Sequence, residues 1–339
     1  MAIACSREQL LLQDFQRIAS RLRCIYRGSR DSRQATLTGE FLEKPYPILR
    51  YGGAEFRGVP VSFHGFKGFE VVPHQKRLLA VDASLKMLFD CGSFKVALAK
   101  VACILWEGRR RLEVWNPVKR AQLVWSRVEA AEFLFEVEVE AALQALHLLG
   151  EGDYCILDRP LTPPPKSGEA AKKLLRRLEA EVTARGAVLV GISKSSQLKL
   201  NTGEPLLGYL IYLSRALDVR APWFYYPVFR CTPPFTWMTT GVACFSEEAD
   251  HVFRVDFTAS CDESQLPEYL GEIAYLQDPA CPGYPYPPRS VHEDAKTSKQ
   301  ELLADRLAFL ELLSQEGLEK RFLSSVKTAS FREEVLWRR

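Results

Sequence analysis

The sequence lacks any apolar run long enough to span a bilayer, and its start lacks the basic cap and apolar core of an export signal. The nine cysteines stand singly, with no Cys-x-x-Cys pair. This spacing argues against a zinc ribbon and against a disulfide scaffold. We therefore expect a cytoplasmic protein with reduced thiols and no association with membranes.

An excess of charge of one sign is also missing, because 45 Lys and Arg residues face 42 Asp and Glu residues, for a net charge of +3. This balance does not by itself indicate nucleic-acid binding, so any such binding would have to come from local patches. No internal repeat or low-complexity tract is visible. The 339 residues suffice for one large or two modest domains.

The sequence does contain a group of strand-like segments around one acid. Apolar residues 78–81 lead into Asp82, a second apolar segment follows a break at 91–93, and a third covers 112–115. This pattern predicts three strands joined as hairpins. An acid on a core strand is costly to bury unless it is paired or binds a metal, whereas an Asp just past a strand end can simply cap a turn. A second strand with the same ending, at Asp158, favours the metal or ion-pair interpretation.

The elements that follow predict the fold class. Helices are expected at 128–149 and 168–185, with strands at 154–158 and 187–193. Three antiparallel strands, a helix, a strand, a helix and a strand is the order of a ribonuclease H-like core, an α/β fold with a mixed five-stranded sheet flanked by helices. The first and fourth strands of such a core are neighbours, so the acids at their ends are expected to converge.

Residues 1–75 are predicted to be a separate N-terminal part. It would contain an amphipathic helix at 7–27 and a small β-rich module of short strands at 36–72. Residues 76–339 would hold the ribonuclease H-like core and end in a long C-terminal helix.

Other acids have simpler interpretations. Asp256 lies on a later predicted strand, but its neighbour Arg254 predicts an ordinary ion pair. The helix at 128–149 carries many glutamates, most of which are expected to form its solvated face. One glutamate at the edge of the apolar face could still project toward Asp82 and Asp158.

Converging carboxylates predict a particular chemistry. Two or three of them repel one another, and hard divalent cations relieve that repulsion. A pair of metal ions about 3.5–4 Å apart can activate a water and stabilise the leaving oxygen of a phosphodiester.

Four segments of the sequence resemble the signature segments of the NurA nucleases. They are AVDAS (80–84), ILDRPL (156–161), VGISKSS (190–196) and GYPYPPRSVHEDAK (283–296). They occur in the family's order and extend the resemblance over most of the chain. The last segment is the most specific, because a Gly-Tyr-Pro turn is followed by a histidine at the head of a helix.

The resemblance implies a manganese-dependent DNA nuclease with a ribonuclease H-like fold that acts as a homodimer. It implies two Mn²⁺ ions, with Mg²⁺ as the alternative, and 5′–3′ exonuclease activity with single-strand endonuclease activity. It also implies a partner, a HerA-type hexameric ATPase and translocase, with which NurA proteins resect broken DNA ends in double-strand break repair and homologous recombination.

The resemblance further implies roles for individual residues. Asp82 and Asp158 match the metal-binding acids of the first and fourth strands. His292 matches the histidine that completes the metal site, and Tyr284 matches a tyrosine near the scissile phosphate. Lys194 matches a lysine after the fifth strand, which would suit a phosphate or a developing charge.

The family also uses a glutamate on the helix that precedes the fourth strand, and the resemblance gives no exact match for it. Its spacing from the fourth-strand acid falls on Ala141 in this sequence. Glu140 is the nearest candidate for the catalytic and metal-binding glutamate, and Glu136 and Glu138 remain open.

Two departures from the family pattern concern the residues after the acids. Asp-Gly-Ser is replaced by Asp-Ala-Ser at 82–84 and by Asp-Arg-Pro at 158–160. These changes favour an alternative, a weak or inactive scaffold that regulates its translocase. A third interpretation is a nuclease of the same fold class that acts on RNA or on guide-bound duplexes.

The residues expected to contact DNA are Arg159, Lys194, Lys172, Lys173 and Arg176.

Overall fold

The computed structural model describes residues 15–20, 44–51, 53–164, 166–194, 196–230, 238–278 and 280–326. Residues 15–20 are helical (α1), and the rest of the helix predicted at 7–27 lies outside the described residues. From Tyr46 onward the chain forms one compact unit, which includes short strands that precede the predicted boundary at residue 75.

The strands are β1 (Pro47–Tyr51), β2 (Ala54–Arg57), β3 (Phe66–Gly68), β4 (Arg77–Asp90), β5 (Lys95–Glu107), β6 (Arg110–Val114), β7 (Val118–Val124), β8 (Tyr154–Leu157), β9 (Val188–Ser193), β10 (Lys199–Leu200), β11 (Trp223–Phe229), β12 (Met238–Cys244), β13 (Phe253–Thr258), β14 (Gln277–Asp278) and β15 (Cys281–Pro285). The further helices are α2 (Arg127–Ala145), α3 (Glu169–Ala184), α4 (Leu206–Ala216), α5 (Leu266–Tyr275), α6 (Tyr286–Ala295), α7 (Lys299–Gln315) and α8 (Glu319–Ser325).

The main sheet contains a ribonuclease H-like core. Its strands run in the order β6-β5-β4-β8-β9, with β4 antiparallel to β5 and parallel to β8, and β8 parallel to β9. This order confirms the predicted five-stranded mixed sheet. Strands β13, β12, β11 and β3 then continue the sheet beyond β9 in antiparallel fashion.

Strand β7 was not predicted. It pairs with the first half of β5, over Val118–Val124, while β6 pairs with the second half. Its side chains are mostly exposed and include a lysine and an arginine, so it lacks the apolar alternation by which a half-buried strand is predicted.

Side-chain alternation along β4 and β8 builds two cores, one on each face of the sheet. Leu79 and Val81 face the core shared with α2 and α3, whereas Leu78 and Ala80 face the core shared with α5 and α6. The near-continuous apolar runs of these strands follow from burial on both faces.

The predicted long C-terminal helix is interrupted. α6 ends at Ala295, Lys296 is extended, and Ser298 caps a new helix by accepting a hydrogen bond from the amide of Glu301 at 3.1 Å. His292 therefore lies in the last turn of the short helix α6 rather than at the start of a long one. No helix among the described residues combines the length and the apolar composition that crossing a bilayer requires.

Candidate active site

The two predicted acids meet where the parallel pairing of β4 and β8 ends. The last paired residues are Val81 and Leu157, and the amide of Asp158 donates to the carbonyl of Val81 at 3.2 Å. Asp82 and Asp158 each come one residue later, so both continue the sheet face on which α6 packs. The sheet register thus brings together two carboxylates that are far apart in sequence.

α6 adds a histidine to these acids. His292 Nδ1 lies 2.7 Å from Asp82 Oδ2 and 3.6 Å from Asp158 Oδ2. Ligand atoms of the three residues all lie within 4.8 Å of one another, and among the described residues they are the group of three or more that could hold a metal ion. The predicted meeting of Asp82, Asp158 and His292 is present in the structure.

Two further predicted residues contact Asp158. Lys194, which follows β9, donates to its Oδ2 at 2.6 Å, and the hydroxyl of Tyr284 donates to its Oδ1 at 2.8 Å. The Lys194 ammonium lies 4.8 Å from the centre of the Tyr284 ring. Gly283 permits this placement, because its φ is +86° and a Cβ there would lie 2.3 Å from Ala249 Cβ.

The electrostatics of the three-residue group favour a cation. The side chains of Asp82 and Asp158 are 10% and 4% exposed. Burial, followed by the charge of Asp158, raises the pKa of Asp82 to about 7. Burial also raises the pKa of Asp158, although Lys194 and Tyr284 oppose the rise. Burial, followed by the charge of Lys194, lowers the pKa of His292.

The structure does not bring Glu140 to this site. Its side chain is 48% exposed, and its nearest cation is Arg120 at 3.9 Å. It shares one side of α2 with Glu136 and Glu132, and burial, followed by the charges of Glu132 and Glu140, raises the pKa of Glu136. The assignment of Glu140 as a catalytic and metal-binding residue is therefore corrected.

Glu138 is the helix glutamate that faces inward. It is buried with Phe135 and Ala142, three residues before and four residues after it on the helix. Its burial raises its pKa to about 8, and the charges of Asp82 and Asp158 act in the same direction. That periodicity was the sequence signal that could have distinguished Glu138 from Glu140.

Arg159 pairs with Glu138 rather than standing free. Its Nη1 donates to Glu138 Oε2 at 2.9 Å, and its guanidinium lies 4.5 Å from the centre of the Phe135 ring. The other carboxylate oxygen of Glu138, Oε1, is buried with no hydrogen-bond partner among the described residues. A cation or a bound water would satisfy such a buried acceptor, which interacts electrostatically with Asp82 and Asp158.

A cleft of about 1160 Å³ opens onto the group. Its lining includes Asp82, Asp158 and His292, and it also includes the basic residues Arg50, Arg159, Lys194, Lys199 and Arg254. Lys172, Lys173 and Arg176 are outside this lining, on α3, and Lys172 pairs with Glu169 at 2.6 Å. Their predicted contact with DNA stays a prediction.

Two carboxylates and one imidazole suit a hard or borderline divalent cation. The raised pKa of Asp82 and the orphaned Glu138 oxygen indicate that the site has more buried negative character than its neighbours satisfy. The residues present therefore fit a metal ion.

No protein-family model matches the sequence, and no curated protein matches it. The fold is similar to several solved structures. The NurA nuclease from Sulfolobus solfataricus aligns with a TM-score of 0.54 and 16% identity over 75% of this chain and 89% of that one. A second structure of NurA gives 0.52 and 12% over 75% and 91%. A structure of NurA bound to dAMP and manganese gives 0.51 and 12% over 84% and 94%. At these identities the likeness establishes the shared fold.

Proposed function

We propose that this chain is a metal-dependent DNA nuclease of the NurA type, with Asp82, Asp158 and His292 as its metal-binding residues. The observation that carries the proposal is the convergence of these three side chains within 4.8 Å at the end of the parallel strand pair. Buried carboxylates with raised pKa values are typical of functional sites.

The structural comparisons support the same chemistry. One of the matched structures is named a NurA nuclease, and another is of NurA bound to dAMP and manganese. The likeness covers at least 75% of this chain in each of the three comparisons. Manganese is therefore the first ion to test.

The residues around the metal site have distinct tasks. A bound divalent ion would supply Lewis-acid activation of the phosphodiester and of the attacking water. Asp82 and Asp158 would hold that ion through carboxylate oxygens. His292, whose lowered pKa keeps its imidazole neutral at neutral pH, would complete the ligand set.

Lys194 and Tyr284 would orient the site. The hydroxyl of Tyr284 fixes one oxygen of Asp158, which leaves the carboxylate less free to rotate. Lys194 lies on the cleft beside the other oxygen, where its ammonium can offset charge on a bound phosphate. The basic cleft lining would hold the DNA backbone against the two acids.

The finer features of the proposal rest on the resemblance of the four sequence segments. They are 5′–3′ polarity with single-strand endonuclease activity, two Mn²⁺ ions, a homodimer, and action with a HerA-type translocase in end resection during repair and recombination.

The test is degradation of end-labelled linear DNA by the purified protein with manganese, magnesium or a chelator. We expect manganese-dependent loss of label that Asp82→Asn and Asp158→Asn each reduce by at least about 100-fold, since loss of a ligand should cost more than loss of an outer-shell partner. Glu140→Gln is the matched control and should cleave as wild type. Full cleavage by both Asp variants would contradict the proposed site.

One observation favours the alternative, a non-catalytic scaffold. The ion pair between Arg159 and Glu138 neutralises the inward helix glutamate. On that alternative the wild-type protein would bind no manganese, as measured by calorimetry, and would not cleave with or without the translocase. Manganese binding that Asp82→Asn abolishes would exclude it.

A further inference from the structure

Arg254 is a buried cation in the wall of the cleft. It lies on β13 and pairs with Ser193 of β9 in the strand register. Ser193 directly precedes Lys194. The side chain of Arg254 is 4% exposed, yet the residue lines the same cleft as Asp82, Asp158 and His292. Paired residues on antiparallel strands have Cα atoms about 5 Å apart, so Arg254 and Lys194 arise from adjacent points of the sheet.

The hydrogen bonds of Arg254 are incomplete. Its Nε donates to Asp256 Oδ1 at 2.9 Å, as the sequence predicted for this pair. Its Nη2 is buried with no hydrogen-bond partner among the described residues. Nε and Nη2 form one edge of the guanidinium fork, and an Arg–carboxylate pair commonly uses both.

Asp256 does not complete that fork, and both of its oxygens have other partners. Oδ1 also accepts from the Thr240 hydroxyl at 2.7 Å, and Oδ2 accepts from the amide of Leu161 at 2.9 Å. Leu161 belongs to the proline-rich loop that follows Asp158. Asp256 therefore anchors that loop, and the guanidinium keeps a donor edge for another acceptor.

A buried guanidinium with an unmade hydrogen bond is costly unless a ligand satisfies it. We propose that Arg254 binds a backbone phosphate of DNA, at the phosphate adjacent to the one that Lys194 contacts. Two oxygens of one phosphate match the planar guanidinium group. A small rotation of the Arg254 side chain would let Nη2 donate to that phosphate. This inference rests on the proposed nuclease function.

The experiment measures binding of a fluorescein-labelled single-stranded DNA by anisotropy, in chelator and with calcium, over a series of salt concentrations. The variant is Arg254→Met combined with Asp256→Asn, which leaves the net charge unchanged. The asparagine can still accept from the Leu161 amide and donate to the Thr240 hydroxyl. The matched control is Arg215→Met combined with Asp250→Asn, which removes an ion pair of 2.7 Å outside the cleft lining.

We expect the Arg254 double variant to bind DNA about 10-fold more weakly, and its slope of log affinity against log salt to fall by about one. The control should keep the wild-type affinity and slope. A purely structural role of Arg254 would lower the melting temperature and leave the slope unchanged, and that result would overturn the inference.

Arg254→Lys provides a second test if the double variant does not fold. It keeps the charge and loses the fork, so the salt slope should persist while affinity falls several-fold. Unchanged affinity in this variant would overturn the inference. If wild type binds and cleaves DNA but the Arg254 variants match it, only the role of Arg254 fails. If wild type neither binds nor cleaves DNA, the proposed function fails as well.

Discussion

His292 Nδ1 lies 2.7 Å from Asp82 Oδ2 although 210 residues separate them along the chain. Asp82 is held by the sheet, and its Oδ1 accepts from the amide of Ala83 at 2.8 Å. His292 is held by α6, which packs on the face of the sheet that Asp82 shares with Ala80. The imidazole and the carboxylate are thus fixed by two separate elements of one core.

Tyr284→Phe should weaken metal binding without unfolding the protein. The change removes the hydroxyl that donates to Asp158 Oδ1 and that lowers the pKa of this carboxyl. We expect the manganese concentration for half-maximal cleavage to rise about 10-fold, the effect of one hydrogen bond to a charged group. Tyr226→Phe is the control, because it removes a hydroxyl bonded to Glu263 at 2.7 Å outside the cleft lining. Equal metal requirements in both variants would contradict the role of Tyr284.

Glu138→Gln and Glu140→Gln should separate the inward glutamate from the outward one. Glu138→Gln replaces the carboxyl group that accepts from the buried Arg159 guanidinium beside the acids with a weaker acceptor, so we expect cleavage to fall by at least about 10-fold. Glu140→Gln changes an exposed side chain and should alter neither cleavage nor melting temperature measurably. The reverse ranking in a cleavage assay would restore the original assignment of Glu140.

The metal-free protein should lose stability as the pH rises. Burial raises the pKa of Asp82 to about 7 and that of Glu138 to about 8, whereas the pKa of a carboxyl in the unfolded chain is about 4. The folded state therefore holds extra protons between these values. The binding of these protons stabilises the folded state fully when the pH is below the unfolded pKa. This stabilisation is lost as the pH rises through the pKa values of the folded state.

In chelator we thus expect the melting temperature to fall between about pH 5 and about pH 8. Added manganese should raise it, and by more at the upper end of that range, because the ligands must be deprotonated. Calorimetry with and without manganese measures both effects, and Asp82→Asn should reduce the pH dependence. A pH-independent melting temperature in chelator would contradict the raised pKa values.

Gly191→Ala should displace the loop that follows Asp158. A Cβ at this position would lie 2.6 Å from the carbonyl oxygen of Arg159 and 3.0 Å from the amide of Leu161. We expect a loss of about 1–3 kcal/mol in the free energy of unfolding, together with reduced cleavage. Gly208→Ala, on the exposed side of α4 with no atom within 4 Å of the new Cβ, should instead stabilise the protein by about 1 kcal/mol. Denaturant unfolding of the two variants gives the comparison.

Much of the site followed from the sequence because its residues end apolar strands. Asp82, Asp158 and Lys194 each come directly after the last parallel pairing or strand residue, and strand ends are visible as the ends of apolar runs. The topology then determined which ends are neighbours. His292 and Tyr284 were placed through the resemblance of the last segment, since the folding of α6 onto the sheet has no local signal.

The errors have separate causes. At α2 the spacing from Asp158 led to Glu140, although the apolar residues Phe135 and Ala142 mark the inward side of the helix at Glu138. The predicted ion pair between Arg254 and Asp256 is present, but a sequence does not show that the amide of Leu161 also donates to the second oxygen of Asp256. β7 was missed because an edge strand with exposed polar side chains has no apolar alternation.

The pairing of β4 with β8 also limits which insertions and deletions this chain can tolerate during evolution. A one-residue insertion or deletion in β4 before Asp82 would exchange the side chains that face the two cores, and the same slip would turn Asp82 to the opposite face. Misplacing the acid by slippage would therefore also unfold the protein, and cellular proteases would remove the product. Inactive descendants that persist should carry replaced side chains at positions 82 or 158 and strands of unchanged length.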